Sequence, residues 1–440
     1  MKRIVMMTLM SSLVAGCGAL GGGRGPRTPT VGDRVPVLTT EQAIEVDPAL
    51  AQTPIVLPAP VANTDWAQPG GNPAHAMVHV NLGPTPVKQW SVSIGTGSGP
   101  RARLAAEPVV ANGRVYTIDT RATVRAFDAN TGGQIWEAQA RGEGAPGETL
   151  FGGGVSFDNN RVYTTNGAGF AFALDANTGA QVWQTKVGNP LRGAPTVAAG
   201  SVYVVSQDNQ IFALNTETGR PQWNGTGAVE LAGVFGAAAP AFAQSTVVAG
   251  FSSGELTAYR YENGQVVWQD ALARTGISTI VGNLSDIDAD PVIDNGRVFA
   301  VGQGGRMVAV ELITGQRAWE LNIAGISSPW VSGDWVFVVT DRAQLLAVSR
   351  ASGKVRWMSQ LQRYRSANNE RSGAVFWRGP VLAGGNLVLT SSTGQIVFVN
   401  PADGAVRQTM AQQMPISFPA VVANNMMYVL DDSGMLTAYR

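Results

Sequence analysis

From residue 87 to the C-terminus, short runs of alternating apolar and polar residues are broken at regular intervals by Gly, Asn and Asp. The clearest unit is Pro108 to Trp136, PVVANGRVYTIDTRATVRAFDANTGGQIW. It reads as a short apolar strand, a turn, an alternating strand, a turn, a third strand, an Asx/Gly turn and a fourth strand ending near Trp. Alternation with period 2 between turns predicts antiparallel strands rather than helices. The Gly turn recurs at Gly132, Gly179, Gly219, Gly264, Gly315, Gly353 and Gly404. Four residues beyond each stand Trp136, Trp183, Trp223, Trp268, Trp319 and Trp357, with Gln408 the exception. The second strand recurs around Tyr116, Tyr163, Tyr203, Val248, Phe299, Phe337, Val388 and Tyr428, at intervals of 38 to 51 residues. Four strands per unit at that period are the signature of a β-propeller.

Eight second strands accompany only seven Gly turns, because the last unit, Pro419 to Arg440, ends after its third strand. The segment Val87-Lys88-Gln89-Trp90-Ser91-Val92 has the form of the missing fourth strand. The expected fold is therefore all-β: an eight-bladed β-propeller of four-stranded antiparallel blades over 87–440, its last blade closed by an N-terminal strand. Closure of this kind leaves no unpaired blade edge at the chain ends. The Trp residues, seven in register, are expected to pack between blades rather than to bind a ligand. Ala126, Ala173, Ala213, Ala258, Ala309, Ala347 and Ala438 recur in the third strands, with Phe398 the exception, and offer a small position beside a large one.

Composition narrows the function. Of 440 residues, 31 are basic and 31 acidic, giving no net charge, which argues against nucleic-acid binding. A single cysteine, Cys17, excludes an internal disulfide. Two histidines, His75 and His79, both in a Gly/Pro-rich stretch, give no basis for a His-rich metal site or nucleophilic catalysis. No catalytic residue, metal or cofactor is expected. At the N-terminus, Lys2 and Arg3 precede a largely apolar run from Ile4 to Ala15, the pattern of a secretory signal over 1–16. The run is too short to cross a membrane. Leu13-Val14-Ala15-Gly16-Cys17 resembles the lipobox of bacterial lipoproteins, which implies cleavage before Cys17 and its acylation. The alternative is an ordinary signal peptide with an incidental Cys. Gly18 stands where Asp marks inner-membrane retention in enterobacterial lipoproteins, and so points to the outer membrane. Residues 17–63, rich in Gly and Pro, read as a flexible tether, with one helical turn possible over Thr40 to Val46. Residues 64–86 form an N-terminal extension to the propeller.

Function on a repeat scaffold usually sits on the connections that vary. The longest run from Trp268 to Pro291 and from Trp357 to Pro380, on one face of the disc. The first carries Leu284-Ser285-Asp286-Ile287-Asp288-Ala289-Asp290. An EF-hand counted from Asp286 would need Gly where Pro291 stands and Glu where Arg297 stands, so Ca²⁺ is not expected. The remaining readings are a solvated acidic loop or a partner contact. The connection over 224–239 holds the apolar Leu231-Ala232-Gly233-Val234-Phe235-Gly236, the kind of exposed segment that marks a contact. The connection over 358–379 is basic, with Arg363, Arg365, Arg371 and Arg378 against Glu370, and reads as solvated surface.

Taken together, these residues resemble the BamB family, propeller lipoproteins of the outer-membrane β-barrel assembly (Bam) machinery, within a wider group of repeats similar to quinoprotein dehydrogenases. The resemblance runs from the lipobox to Arg440. Leu284-Ser285-Asp286-Ile287-Asp288 is similar to the family's Leu-Ser-Asp-Val-Asp, and Trp66 through His75 to an N-terminal feature of alphaproteobacterial members. It implies a non-enzymatic scaffold, lipid-anchored at Cys17 on the periplasmic side of the outer membrane. Its implied partners are the POTRA domains of BamA and other Bam subunits. Leu284, Asp286 and Asp288 would belong to one partner-binding loop and Leu231, Val234 and Phe235 to its neighbour. The second departs from the family: Val234-Phe235-Gly236 replaces Leu-Arg-Gly, leaving an apolar contact in place of the Arg. Direct contact with unfolded outer-membrane proteins stays open. The rival reading is a periplasmic, quinone-dependent oxidoreductase of the PQQ type.

Overall fold

The fourth strands bury at most two residues while each second strand is buried almost throughout, so the blades stand radially with the fourth strand outermost. A computed structural model describes residues 44–147, 150–191, 193–228, 238–272, 285–367 and 369–440. Eight four-stranded antiparallel sheets make up the propeller. Blade 1 consists of Val109–Ala111, Arg114–Ile118, Thr123–Asp128 and Gln134–Gln139, counted from the axis outward. Blades 2 to 7 follow over 155–186, 196–226, 241–271, 292–321, 330–360 and 377–411. Blade 8 takes three strands from 421–439 and its outermost from Lys88–Ser93, which pairs with Met435–Tyr439. The expected count and the expected closure are both observed.

One row of side chains accounts for the repeat. In blade 1, Tyr116, Ala126 and Trp136 lie directly opposite one another on adjacent strands. The same row holds Tyr163, Ala173 and Trp183 in blade 2 and Tyr203, Ala213 and Trp223 in blade 3. The Ala lets the Trp ring lean over the strand onto the aromatic ring beyond, at 5.9 Å in blade 1. In blade 7 Phe398 faces Gln408, so the large and small residues have exchanged strands.

Each indole also reaches into the next blade. Trp136 Nε1 donates to Ala176 O at 2.9 Å, Trp183 Nε1 to Thr216 O at 2.8 Å and Trp268 Nε1 to Leu312 O at 2.7 Å. Its face covers the neighbour's Gly turn. Gly179 has φ of +75°, and a Cβ there would lie 2.7 Å from Trp136 Cε3, so both backbone and ring require glycine. Asp175 holds this turn by accepting from Thr178 N and Thr178 Oγ1, each at 2.9 Å. Trp90 of the closing strand covers Gly132 of blade 1 in the same way, which locks the ring.

The N-terminal segment is not a tether up to residue 63. Asp47 N donates to Val355 O, Asp47 pairs with Lys354 at 2.7 Å, and Arg356 Nε donates to Thr53 O, so 47–53 lies along the outer strand of blade 6. A 3₁₀ turn falls at Pro48–Leu50, capped by Asp47 with Pro at its first position; of the turn expected over Thr40 to Val46, 40–43 lie outside the described residues and 44–46 are not helical. Residues 63–82 then circle the axis and touch the inner strand of every blade in turn. Asn63 Nδ2 donates to Val422 O in blade 8, and Trp66 exchanges two backbone hydrogen bonds with Val110 in blade 1. Phe157 N donates to Ala67 O in blade 2, and the Gln68 amide brackets Val197 in blade 3. Phe242 N and Ile293 N donate to Pro73 O and Ala74 O in blades 4 and 5. Trp330 Nε1 donates to Val78 O in blade 6, and Val80 pairs with Leu382 and Gly384 in blade 7. These bonds satisfy inward-facing backbone groups that a bare propeller hole would leave to water.

Candidate functional site

The acidic connection was expected to be a loop on the surface, and its described end, 285–290, is instead packed into the propeller. Ser285 Oγ donates to Ser252 O, Ile287 N to Phe251 O and Gln303 N to Asp286 O, stitching 285–287 into the seam between blades 4 and 5. Ile287 is buried against Gly250, where a Cβ would come within 2.5 Å of it. Asp286 is only 1% exposed. Asp288 accepts from Gln303 Nε2 at 2.7 Å, and Asp290 Oδ1 accepts from Ala239 N at 2.7 Å. Asp288 and Asp290 line a cavity on the propeller axis, so these acids do not project together towards a partner. Leu231, Val234, Phe235, Leu284 and Cys17 lie outside the described residues. The basic connection contains a hairpin, Tyr364–Ser366 with Asn369–Ala374. Its Arg365 and Arg371 are exposed, and Arg378 is drawn inward.

The axial cavity holds about 370 Å³. Trp66, Pro69, Gly70 and His75 of the circling segment line it on one side, and the residues that lead into the inner strands line it elsewhere. Among these are Glu107, Asp290, Ser328, Gly379 and Phe418, each immediately before a proline. That repeat position is therefore the one that faces the axis. It is small or apolar in most blades and acidic at Glu107 and Asp290. Neither Glu107 nor Arg378 was singled out from the sequence as a cavity residue. The pre-proline register was the available signal.

Electrostatics here are unusual. Removal from bulk water pushes the Glu107 carboxyl up to about 7, helped by the negative charge of Asp290. Burial raises Asp290 to about 7, and burial with the neighbouring Asp286 raises Asp288 to about 7. Burial lowers the Arg378 guanidinium from its ordinary value. That group donates from Nε to Ser417 O and from Nη1 to Ile326 O, both at 2.9 Å. His75 is buried, with Nδ1 2.7 Å from Pro291 O, and burial lowers it to about 4, so it is neutral at physiological pH. His79 is braced differently: Nδ1 donates to Pro58 O at 2.7 Å and Nε2 accepts from Gly385 N at 3.0 Å. Among the described residues, no group of three or more His, Cys, Asp or Glu side chains is arranged to hold a metal ion.

Fold and site define an eight-bladed propeller whose blades are bridged by one N-terminal segment around a cavity on the axis, with variable connections on one face. A family model described as outer membrane protein assembly factor BamB matches residues 84–148 and 120–359. The BamB of Escherichia coli K12 is 30% identical over 363 residues, covering 73% of this chain and 80% of that protein. The crystal structure of BamB from Moraxella catarrhalis superposes with a TM-score of 0.67 at 19% identity, covering 81% of this chain and all of that one. A europium-containing methanol dehydrogenase superposes at 0.66 with 14% identity, covering 83% of this chain and 89% of that one, a likeness of fold alone. The chain belongs to the BamB family of outer membrane protein assembly factors.

Proposed function

We propose that this protein is a non-enzymatic scaffold in β-barrel protein assembly at the outer membrane, anchored through acylated Cys17 and binding the POTRA domains of BamA. Family membership over most of the propeller carries the reading. The fold supports it: the ring is closed by strand pairing with its own N-terminal segment, and residues 63–82 bridge the blades around the axis, leaving rigid blades to present connections to partners. The connections over 224–239 and 269–290 join blades 3 to 4 and 4 to 5, and so leave neighbouring blades on one face. In this reading Leu231, Val234, Phe235 and Leu284 make the contact. Asp286 and Asp288 hold the following segment to Gln303 and the blade seam.

Titration of purified POTRA domains against the folded protein tests the contact. Phe235→Asp should weaken binding about tenfold or more, because apolar anchors dominate interfaces. Unchanged affinity would reject this face. Cys17→Ala should move the protein from the membrane fraction to the soluble periplasm in cells lacking the partner. Continued sedimentation with outer membranes would reject the lipid anchor.

A further inference from the structure

We infer that the axial cavity is a binding site for a primary alkylammonium group. This goes beyond the assembly role and does not depend on it. Three carboxyls, Glu107, Asp288 and Asp290, line the cavity. Among the described residues, none of the three has a Lys, Arg or His nitrogen within 4 Å. Arg378 and Arg103 also line it. Arg378 spends its Nε and Nη1 protons on the Ser417 and Ile326 carbonyls, and Arg103 is exposed. Two cations facing three carboxylates leave the cavity one positive charge short when all are ionised.

A second observation is independent of the acids. His75 is 3% exposed and lines the same cavity. Its Nδ1 lies 2.7 Å from the Pro291 carbonyl, which accepts only, so Nδ1 carries the proton and Nε2 presents a lone pair. That Nε2 is buried and has no hydrogen-bond partner. A buried acceptor left unpaired costs about 1–3 kcal/mol, a cost that a donor from a ligand would remove. His75 and Glu107 act on each other electrostatically, and Asp290 acts on Glu107, so the acceptors share one region.

An ammonium offers three N–H donors and one positive charge, which matches a cavity lined by a neutral imidazole and three carboxyls. The remaining walls suit an alkyl chain. Trp66 and Trp330 stack with centroids 6.1 Å apart, and Phe418, Ala105, Ala106, Ala194 and Ala239 complete them. The volume stands near the lower end of small-ligand sites. The ammonium can come from a free amine or from a lysine side chain of a polypeptide.

The test is a titration of the full chain with n-butylammonium and, in parallel, with Nα-acetyl-lysine amide, followed by calorimetry and by fluorescence of the cavity tryptophans. Saturable binding in the millimolar range or tighter is expected for n-butylammonium, with n-butanol, which lacks the charge, giving none. Binding of the lysine amide as well would extend the site to polypeptide lysines, and its absence would restrict it to free amines. Glu107→Gln and Asp290→Asn keep shape and remove charge, and each should weaken binding about tenfold. Affinity should rise between pH 6 and 8 as Glu107, Asp288 and Asp290 ionise while His75 stays neutral. No saturable binding by the wild-type chain, equal binding of n-butanol, or unchanged affinity in both variants with circular dichroism intact would overturn the assignment.

Discussion

Trp66 anchors the circling N-terminal segment to blades 1 and 6, so its truncation measures what that contact contributes. The side chain is 1% exposed and stacks on Trp330 with an interplanar angle of 21°. Truncating a buried Trp to Ala costs about 3–5 kcal/mol through lost transfer energy and the cavity left behind. One term opposes this: Trp66 Nε1 is buried with no hydrogen-bond partner, and removing an unpaired donor returns about 1–3 kcal/mol. The backbone exchange with Val110 survives the substitution. The expected net cost of Trp66→Ala is therefore about 2 kcal/mol. Trp66→Phe keeps a ring against Trp330 and sheds the orphan donor, so it should cost less than about 1 kcal/mol. Trp136→Phe supplies the contrast, because there the substitution removes a hydrogen bond to Ala176 O across the blade seam, leaving that carbonyl to Arg114 and Tyr116. Urea unfolding followed by far-ultraviolet circular dichroism gives all three midpoints. The reasoning fails if Trp66→Ala unfolds with the wild type, or if Trp66→Phe costs as much as Trp136→Phe.

Deleting 87–94 should lower the thermal midpoint far more than deleting 18–43, since the first removes the outer strand of blade 8 and the Trp90 cover over Gly132; equal midpoints would refute closure by that strand. Glu107→Gln should stabilise the protein in a pH-dependent way. The folded carboxyl titrates near 7 against an ordinary 4.5, so its ionisation costs stability progressively as pH rises through that window. The gain should be small at pH 4.5 and reach about 1–2 kcal/mol at pH 8, allowing for water in the cavity; a gain that is the same at both pH values would remove Glu107 from the buried acids.

Much of this fold was written in local chemistry. Period-2 alternation and Asx/Gly turns require only neighbouring residues to act, so eight second strands and seven Gly turns were countable along the chain. The closing strand was legible because blade 8 ends at its third strand and Val87 to Val92 carries the missing pattern. Even the Ala recurrence was readable as room for the Trp, and the register places Ala126 opposite Trp136 and Ala438 opposite Trp90. The partner of each Trp across the seam was not readable. Along the chain each Gly is followed by its own blade's Trp, but in space the Gly turn is covered by the Trp of the blade before. This explains the exception: Gln408 stands in blade 7, and blade 8 has no Gly turn to cover, because its outer strand is Lys88–Ser93 and no turn joins it to the third. The course of 63–82 was equally hidden, since a Gly/Pro-rich segment has no hydrophobic period, and its bonds are made to blades up to about 360 residues away. The acids at 286–290 read as a surface loop because charge normally seeks water. Only the closed ring, by turning the residue before each inner-strand proline towards the axis, placed Asp290 and Glu107 at one cavity.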